Sequence, residues 1–296
     1  MPRPRWRLDH SSAPLLVLAG VISVQFGAAL AATLVPRIGA IGSVMLRLVF
    51  AMIVLAAVAR PRLRGRSRRD WATVILFGLA LAGMNTAFYS SLAYLPIGVA
   101  VTVEFLGPLG LAAALSRRPR DVAAVLAAAI GVALVSGATD ATWGRFEPIG
   151  LLWAGAAGLM WAVYIVLSQR TGARFDGLDG LAIALVIATL VVAPFGITSI
   201  DAWSPDILAL GLGIAVLSTV LPYSLELVAL RHLTQRVFGV LLSLEPAVAA
   251  LAGLIVLSQV LDPGQVVGLV LVVAASAFVL SAKQEPDPPD AVVGSG

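Results

Sequence analysis

Reactive side chains are scarce in this sequence. It has no cysteine and only two histidines, His10 and His232. The lack of cysteine excludes a disulfide framework and thiolate chemistry. The two histidines lie before the first apolar segment and in a short polar connection, so they cannot complete a catalytic triad or a zinc site. No Walker loop is present, so ATP does not drive the protein directly. We therefore expect no enzyme activity, no bound metal and no cofactor.

Charge is also scarce. Only 12% of the residues are charged and 59% are hydrophobic, whereas charged residues make up about a quarter of soluble domains. The hydrophobic residues form ten runs, each close to the ~20 residues that a helix needs to cross a bilayer core. They span roughly 14–34, 38–59, 71–93, 97–116, 121–138, 148–168, 180–200, 205–230, 237–257 and 263–282. The sequence predicts an all-α polytopic membrane protein of ten transmembrane helices.

The basic residues predict how the helices are oriented. Seventeen of the twenty lie in every second gap between the runs: Arg3, Arg5, Arg7, Arg60, Arg62, Arg64, Arg66, Arg68, Arg69, Arg117, Arg118, Arg120, Arg170, Arg174, Arg231, Arg236 and Lys283. The other gaps hold only Arg37 and Arg145, so by the positive-inside rule both termini are cytoplasmic. The isoelectric point near 10.1 could suggest nucleic-acid binding, but short basic connections at helix ends face lipid headgroups. We expect the lipid bilayer, and no nucleic acid, as a partner.

A weak internal repeat divides the chain. A shift of 138 residues places Tyr94 on His232 and Pro108 on Pro246. We predict a cytoplasmic N-terminus at 1–13, a five-helix repeat at 14–138, an external linker at 139–147, a second five-helix repeat at 148–282 and a disordered cytoplasmic tail at 283–296. Because five is odd, the second repeat is inverted, as in many secondary transporters. The alternative is that apolar helices resemble one another at some offset.

Four ionisable residues lie within the apolar runs: Arg47, Glu104, Glu226 and Glu245. A charge at the bilayer centre costs at least ~2.5–3.5 kcal/mol, so such residues usually face a cavity or a partner. Arg47 cannot pair with three acids at once. Glu104 and Glu245, near mid-depth, are therefore candidates for proton coupling, for amine binding, or for both. The alternative is a buried structural pair between Arg47 and one glutamate.

Three prolines accompany the acids. Pro108, Pro222 and Pro246 each remove a backbone hydrogen bond, which predicts bends or breaks in helices four, eight and nine. Carbonyl groups left unpaired at membrane depth are tolerated where they line a cavity. We therefore predict that these helix breaks help to form a central cavity.

Further polar and aromatic residues are candidates for the same cavity by their helical spacing: Gln25, Asn85, Tyr89, Trp161, Tyr164 and Tyr223. The amides could orient a small polar cargo, or could as easily bond a neighbouring helix. Aromatic residues in membrane helices more often pack or anchor at the interface. The two on helix six lie inside their run rather than at its end, which favours the cavity.

Several short segments resemble the EamA-type drug/metabolite transporters, and within them the bacterial inner-membrane threonine/homoserine exporters. They are GMN at 83–85, IGVAV at 97–101, EFLGP at 104–108, SRRP at 116–119, LPYSLE at 221–226 and LEPA at 244–247. The resemblance spans nearly the whole chain and implies two inverted five-helix repeats around a central cavity. It also implies amino-acid export driven by the proton gradient. One departure is Ser258-Gln259, where many relatives carry Gly-Glu, so any role of that glutamate is absent here.

We therefore predict a secondary transporter of the bacterial inner membrane that exports small amino acids such as threonine and homoserine by proton antiport with alternating access. Glu104 or Glu245 would bind the α-ammonium group or the exchanged proton, and Arg47 the α-carboxylate. The alternatives are another cargo, such as aromatic amino acids, purines or cationic drugs, and a passive channel. A channel predicts a continuous polar stripe, whereas the polar residues here cluster near mid-depth. Stoichiometry, oligomeric state and resting conformation stay open.

Overall fold

The computed structural model of the chain describes residues 13–116, 123, 126–128, 130, 131, 134, 147–229, 233 and 241–281. Within those residues the secondary structure is helical, with no strand. The elements are α1 (Ala13–Ala32), α2 (Val35–Ala59), α3 (Arg68–Ser91), α4 (Ile97–Glu104), α5 (Leu106–Ser116), α6 (Pro148–Gly172), α7 (Asp179–Gly196), a 3-10 helix (Ile197–Ala202), α8 (Pro205–Ala215), a π-helix (Val216–Val220), α9 (Leu221–Ala229), α10 (Glu245–Leu257) and α11 (Pro263–Ser281).

Length and apolar character suit these helices to a membrane. Among the described residues, five segments are long and apolar enough to cross one: Ala13–Ala59, Arg68–Ser91, Pro148–Gly172, Asp179–Ala202 and Pro205–Glu226. Shorter apolar helices cover Ile97–Leu111, Glu245–Leu257 and Pro263–Ala275. The helices follow the predicted apolar runs wherever the chain is described. The fifth run, at 121–138, lies mostly outside the described residues, as do the N-terminal segment, most of the linker and the tail.

Local sequence explains where several helices begin, bend and end. At the start of α3, Ser67 Oγ accepts the N–H of Asp70 at 3.2 Å and Asp70 Oδ2 accepts the N–H of Ser67 at 2.9 Å. This capping box satisfies two N–H groups that the helix leaves unpaired. Helix α2 bends at Gly39, whose φ of 75° is readily adopted only by glycine. The same helix ends at Arg60, which has a left-handed conformation.

The chain departs from a regular α-helix close to three prolines. Helix α4 ends at Glu104, and the single residue Phe105, three residues before Pro108, separates it from α5. The π-helix Val216–Val220 directly precedes the turn that contains Pro222. Helix α10 begins at Glu245, one residue before Pro246. A proline cannot donate a hydrogen bond to the preceding turn, which accounts for the irregular backbone. Each irregular turn also lies close in sequence to one of the three intramembrane glutamates.

Helix packing places the break after α4 against α6. The carbonyl oxygen of Gly158 lies so close to Gly107 that a β-carbon there would collide with it, and a β-carbon on Gly158 would collide with the carbonyl of Glu104. Small residues allow this backbone approach, as at many helix crossings in membranes. Contacts between helices that are distant in sequence also join α3 to α6, α2 to α7, α4 to α10, and α1 to the segment from α8 to α9. Glu104 is therefore held at the centre of the bundle.

The outer surface of the bundle is apolar. Large hydrophobic side chains such as Leu152, Leu190 and Phe195 are about two-thirds exposed or more. Polar and charged side chains, by contrast, are buried inside the bundle, among them Gln25, Arg47, Asn85, Glu104 and Glu245. An apolar exterior around a polar interior is the distribution that a bilayer selects.

Candidate functional site

Arg47 lies in the middle of α2 and is 4% exposed. Its Nη2 donates a hydrogen bond to Asn85 Oδ1 on α3, and its Nη1 donates to Ser218 Oγ in the π-helix at 3.2 Å. The guanidinium carbon lies 4.9 Å from the centre of the Tyr89 ring, within the range of a cation–π interaction. Asn85 is itself oriented by a bond from its Nδ2 to the carbonyl of Leu81, at 2.7 Å. Arg47 thus ties α2, α3 and the π-helix together.

No carboxylate of the described residues pairs with Arg47. The alternative predicted from sequence, a buried ion pair between Arg47 and a glutamate, is therefore wrong for this structure. The Nε of Arg47 has no hydrogen-bond partner in the part of the chain that the structure describes. A buried guanidinium is stable only when its charge is compensated, and an amide, a hydroxyl and a ring compensate it incompletely. The site therefore favours an additional anion beside Arg47.

The acid with a defined partner is Glu245, the first residue of α10, which is 4% exposed. Its Oε2 accepts a hydrogen bond from Gln25 Nε2 on α1 at 3.3 Å. The other amide atom of that side chain, Gln25 Oε1, is buried without a partner. Gln25 and Glu245 therefore hold one carboxylate oxygen in place and leave one buried acceptor free for a donor.

The side chains of Glu104 and Glu226 have no hydrogen bond or ion pair to another described residue. Glu104, at the end of α4, is buried, while Glu226 on α9 is partly buried and lies beside Gly20 of α1. Both are close enough to Glu245 to act on its charge through space, and Arg47 acts in the same way on Glu104. The acids thus form one electrostatic group with Arg47 at its edge.

Aromatic side chains flank the acids. The rings of Tyr164 on α6 and Tyr223 on α9 have centroids 5.8 Å apart, and Tyr164 is electrostatically coupled to Glu226 and Glu245. Trp161, one turn earlier on α6, is partly buried and meets Phe105 edge to face, at 5.7 Å between centroids. Tyr164 and Tyr223 therefore lie near the glutamates, whereas Trp161 contacts the residue that follows Glu104. The role of all three residues in binding a solute stays a prediction.

Sequence reasoning missed three polar contacts. The Ser218 hydroxyl accepts from Arg47, and Ser23 Oγ on α1 donates to the carbonyl of Leu217 at 2.6 Å. Gln259 Oε1 accepts the N–H of Ile97, the first residue of α4, at 3.2 Å. Gln259 thus caps the helix that carries Glu104. Pro222 signalled an irregular helix near Ser218, but no sequence pattern indicated the partner of Gln259.

Comparisons with known proteins agree with this architecture. Residues 148–281 match the EamA-like transporter family. The threonine/homoserine exporter RhtA of Salmonella typhimurium (strain SL1344) is 40% identical over 276 residues, 92% of each chain. The protein of that name from Escherichia coli (strain K12) is 39% identical over 265 residues, which cover 88% of this chain and 89% of the relative. A solved crystal structure, 22% identical, matches the fold with a TM-score of 0.65 over 92% of this chain and 97% of that chain.

Proposed function

Because the chain belongs to the EamA-like transporter family, we propose that it is a secondary transporter that exports small amino acids of the threonine and homoserine type from the cytoplasm in exchange for protons. Relatives about 40% identical over nine-tenths of their length carry the name threonine/homoserine exporter, which supports this cargo class. The proposed location is the bacterial inner membrane. The partners are the amino acid, protons and the bilayer.

One observation carries the mechanism: a buried arginine that pairs with no described carboxylate lies at the edge of a group of three glutamates. A free amino acid is a zwitterion, and in a low-dielectric cavity it needs one protein group of each sign within reach. Arg47 would bind the α-carboxylate through its unpartnered Nε and a rearranged Nη group. A glutamate would bind the α-ammonium group.

The surplus of acids supports proton coupling. A carboxylate that holds either an ammonium group or a proton, but not both, makes the two ligands compete for one site. Export of the amino acid would then accompany import of the proton under alternating access. Glu245 and Glu104 are the proposed carriers because both are buried. Glu226, which is partly buried, would connect them to the side that we propose is cytoplasmic.

The proposed architecture is ten transmembrane helices, in two inverted repeats at 14–138 and 148–282 around a central cavity. Numbered by apolar run, helix three contacts helix six and helix eight contacts helix one, while helix two contacts helix seven and helix four contacts helix nine. If each helix is replaced by its counterpart in the other half, five places along the chain, the same set of contacts results. That symmetry supports two equivalent halves, which the linker at 139–147 would join.

The proposed orientation has both termini in the cytoplasm. It can be tested with single cysteines at exposed positions, Arg64→Cys and Asp201→Cys, because the chain has no cysteine of its own. In intact cells an impermeant thiol reagent added outside should label the second variant and spare the first. The reverse pattern would invert the assignment.

The function itself is tested by efflux from vesicles that contain the purified protein and are preloaded with one labelled solute each. The panel comprises threonine, homoserine, phenylalanine and a lipophilic organic cation. We expect threonine and homoserine to leave faster when a pH gradient is imposed and the other two to be unaffected. Faster efflux of phenylalanine or of the cation alone would assign another cargo, and efflux of every solute regardless of the gradient would indicate a channel.

A further inference from the structure

Two connections at one end of the bundle are joined by Arg66. This residue follows α2, and its Nη2 lies 3.6 Å from Asp179 Oδ2 at the start of α7. Its Nη1 donates to the carbonyl of Arg174 at 3.2 Å, and its guanidinium carbon lies 4.5 Å from the centre of the Phe175 ring. Arg66 therefore contacts the connection between α6 and α7 through a charge, a carbonyl and an aromatic face.

The same end holds two further contacts. Asp179 is 1% exposed, and its Oδ2 also accepts the N–H of Arg62 at 3.3 Å. Arg174 Nη1 lies 3.0 Å from Asp70 Oδ1 on the first turn of α3. Four helices, α2, α3, α6 and α7, are thus tied together at this end by two ion pairs, and the carboxylate of one of them, Asp179, is buried.

At the opposite ends of the same four helices, Gly42 of α2 packs against Ser199 of the 3-10 helix that follows α7, and Gly150 of α6 packs against Tyr94, just after α3. A cavity of about 430 Å³ opens among them, lined by residues that include Gly39, Ser90, Tyr94, Trp153 and Ser199. The ion pair described at that end, between Arg37 and Asp206, is exposed. Exposed pairs contribute little because both charges are well solvated when apart, whereas a buried carboxylate that loses its cation stays poorly solvated.

We propose that Arg66, Asp179, Arg174 and Asp70 form a latch that closes one mouth of the transport path, and that a solute reaches Arg47 and the glutamates from that side only when the latch opens. The inference rests on the proposed function, which makes this side the cytoplasmic one and therefore the side where the exported solute enters. The structure then corresponds to a state that is closed on the cytoplasmic side.

Thr171 offers a reporter directly behind the latch. It lies on the last turn of α6, is 3% exposed, has an unpartnered Oγ1 and packs against Gly180 of α7. Ser90 offers the opposing reporter because it lines the cavity at the other end. Thr171→Cys and Ser90→Cys can each be the sole cysteine of the chain. Labelling in lipid nanodiscs exposes both faces to the reagent, so the result does not depend on the membrane orientation.

Asp179→Asn keeps the shape of the side chain and removes the charge that Arg66 contacts. We expect it to raise the labelling rate of Thr171→Cys by at least about tenfold and to lower that of Ser90→Cys, because the two mouths open alternately. Arg66→Gln should act in the same way. The matched control is Asp206→Asn at the exposed pair, which should change either rate by less than about twofold.

Local loosening and misfolding are distinguished from latch opening by the second reporter. A protein that merely loosens would label faster at both positions, or at Thr171→Cys with Ser90→Cys unchanged. Either pattern in both Asp179→Asn and Arg66→Gln would overturn the latch, as would unchanged rates. The labelling needs no cargo. If the parent exports no solute of the panel but the two rates move in opposite directions, the cargo assignment fails and the latch stands.

Discussion

Charged side chains form ion pairs at the ends of the bundle but not in its described interior. At the ends, Arg37, Arg66 and Arg174 each lie within ion-pair distance of an aspartate. In the interior, the hydrogen bonds of Arg47 to described side chains go only to an amide and a hydroxyl, and its guanidinium lies over a ring, although Glu104 is near enough to interact with its charge. An interior built only for stability would pair these charges, because an unpaired buried charge is costly. The difference supports our proposal that the interior charges bind a ligand that carries both signs.

Of the variants that test this comparison, replacement of Arg47 should have the largest effect on export. We expect Arg47→Gln to reduce threonine export by more than about a hundredfold, because the substrate carboxylate would enter the cavity without a cation. The control is Arg37→Gln, which removes an arginine from an exposed pair at the end of the bundle and should leave export within about twofold. Efflux rates per folded protein in vesicles measure both. Parental export by Arg47→Gln would remove this residue from the site.

Replacing the acids should impair proton coupling, whereas replacing Arg47 should impair binding of the solute. Glu104→Gln and Glu245→Gln keep shape and hydrogen bonding but fix the neutral form of the side chain. We expect at least one of them to abolish efflux driven by a pH gradient while exchange of labelled for unlabelled solute persists, since a proton carrier is needed only for net movement. If both variants export at parental rates with unchanged pH dependence, the two acids are structural.

A smaller effect is expected from the backbone contact that holds Glu104. Gly158→Ala places a methyl group against the carbonyl of Glu104, and overpacking of this kind costs roughly 1–3 kcal/mol. Gly155→Ala on the same helix is the matched control, because nothing lies within 4 Å of its added β-carbon. Thermal unfolding in detergent should show a lower midpoint for the first variant alone. Equal midpoints would mean that α4 and α6 do not approach as described.

The helical fold and the identity of the charged residues could be predicted from the sequence, because a bilayer imposes strong rules on both. An apolar run of about 20 residues is the length that a helix needs to cross the membrane. An ionisable residue within such a run is rare and usually functional. The residues at 47, 104, 226 and 245 could therefore be selected by counting. Proline positions similarly indicated where helices become irregular.

The partners of those residues could not be predicted. Whether Arg47 bonds a glutamate or Ser218 depends on the rotation of α2 against a π-helix, which periodicity of 3.6 residues does not describe. The alternative of a structural Arg47 pair was wrong for that reason. Gln259 and Ile97 are far apart in sequence, and only the packing of α4 on α10 brings the amide to the helix N-terminus.

Competition by substrate analogues tests most directly whether the interior arginine and glutamates bind the two charged groups of the solute. Counterflow of labelled threonine into vesicles would be measured with unlabelled threonine, with threoninol, which lacks the carboxylate, and with a hydroxy acid that lacks the amino group. We expect only threonine to compete well in the parent, because each analogue leaves Arg47 or a glutamate without its partner. Competition by threoninol as strong as that by threonine would contradict the account, since Arg47 would then bind no part of the solute.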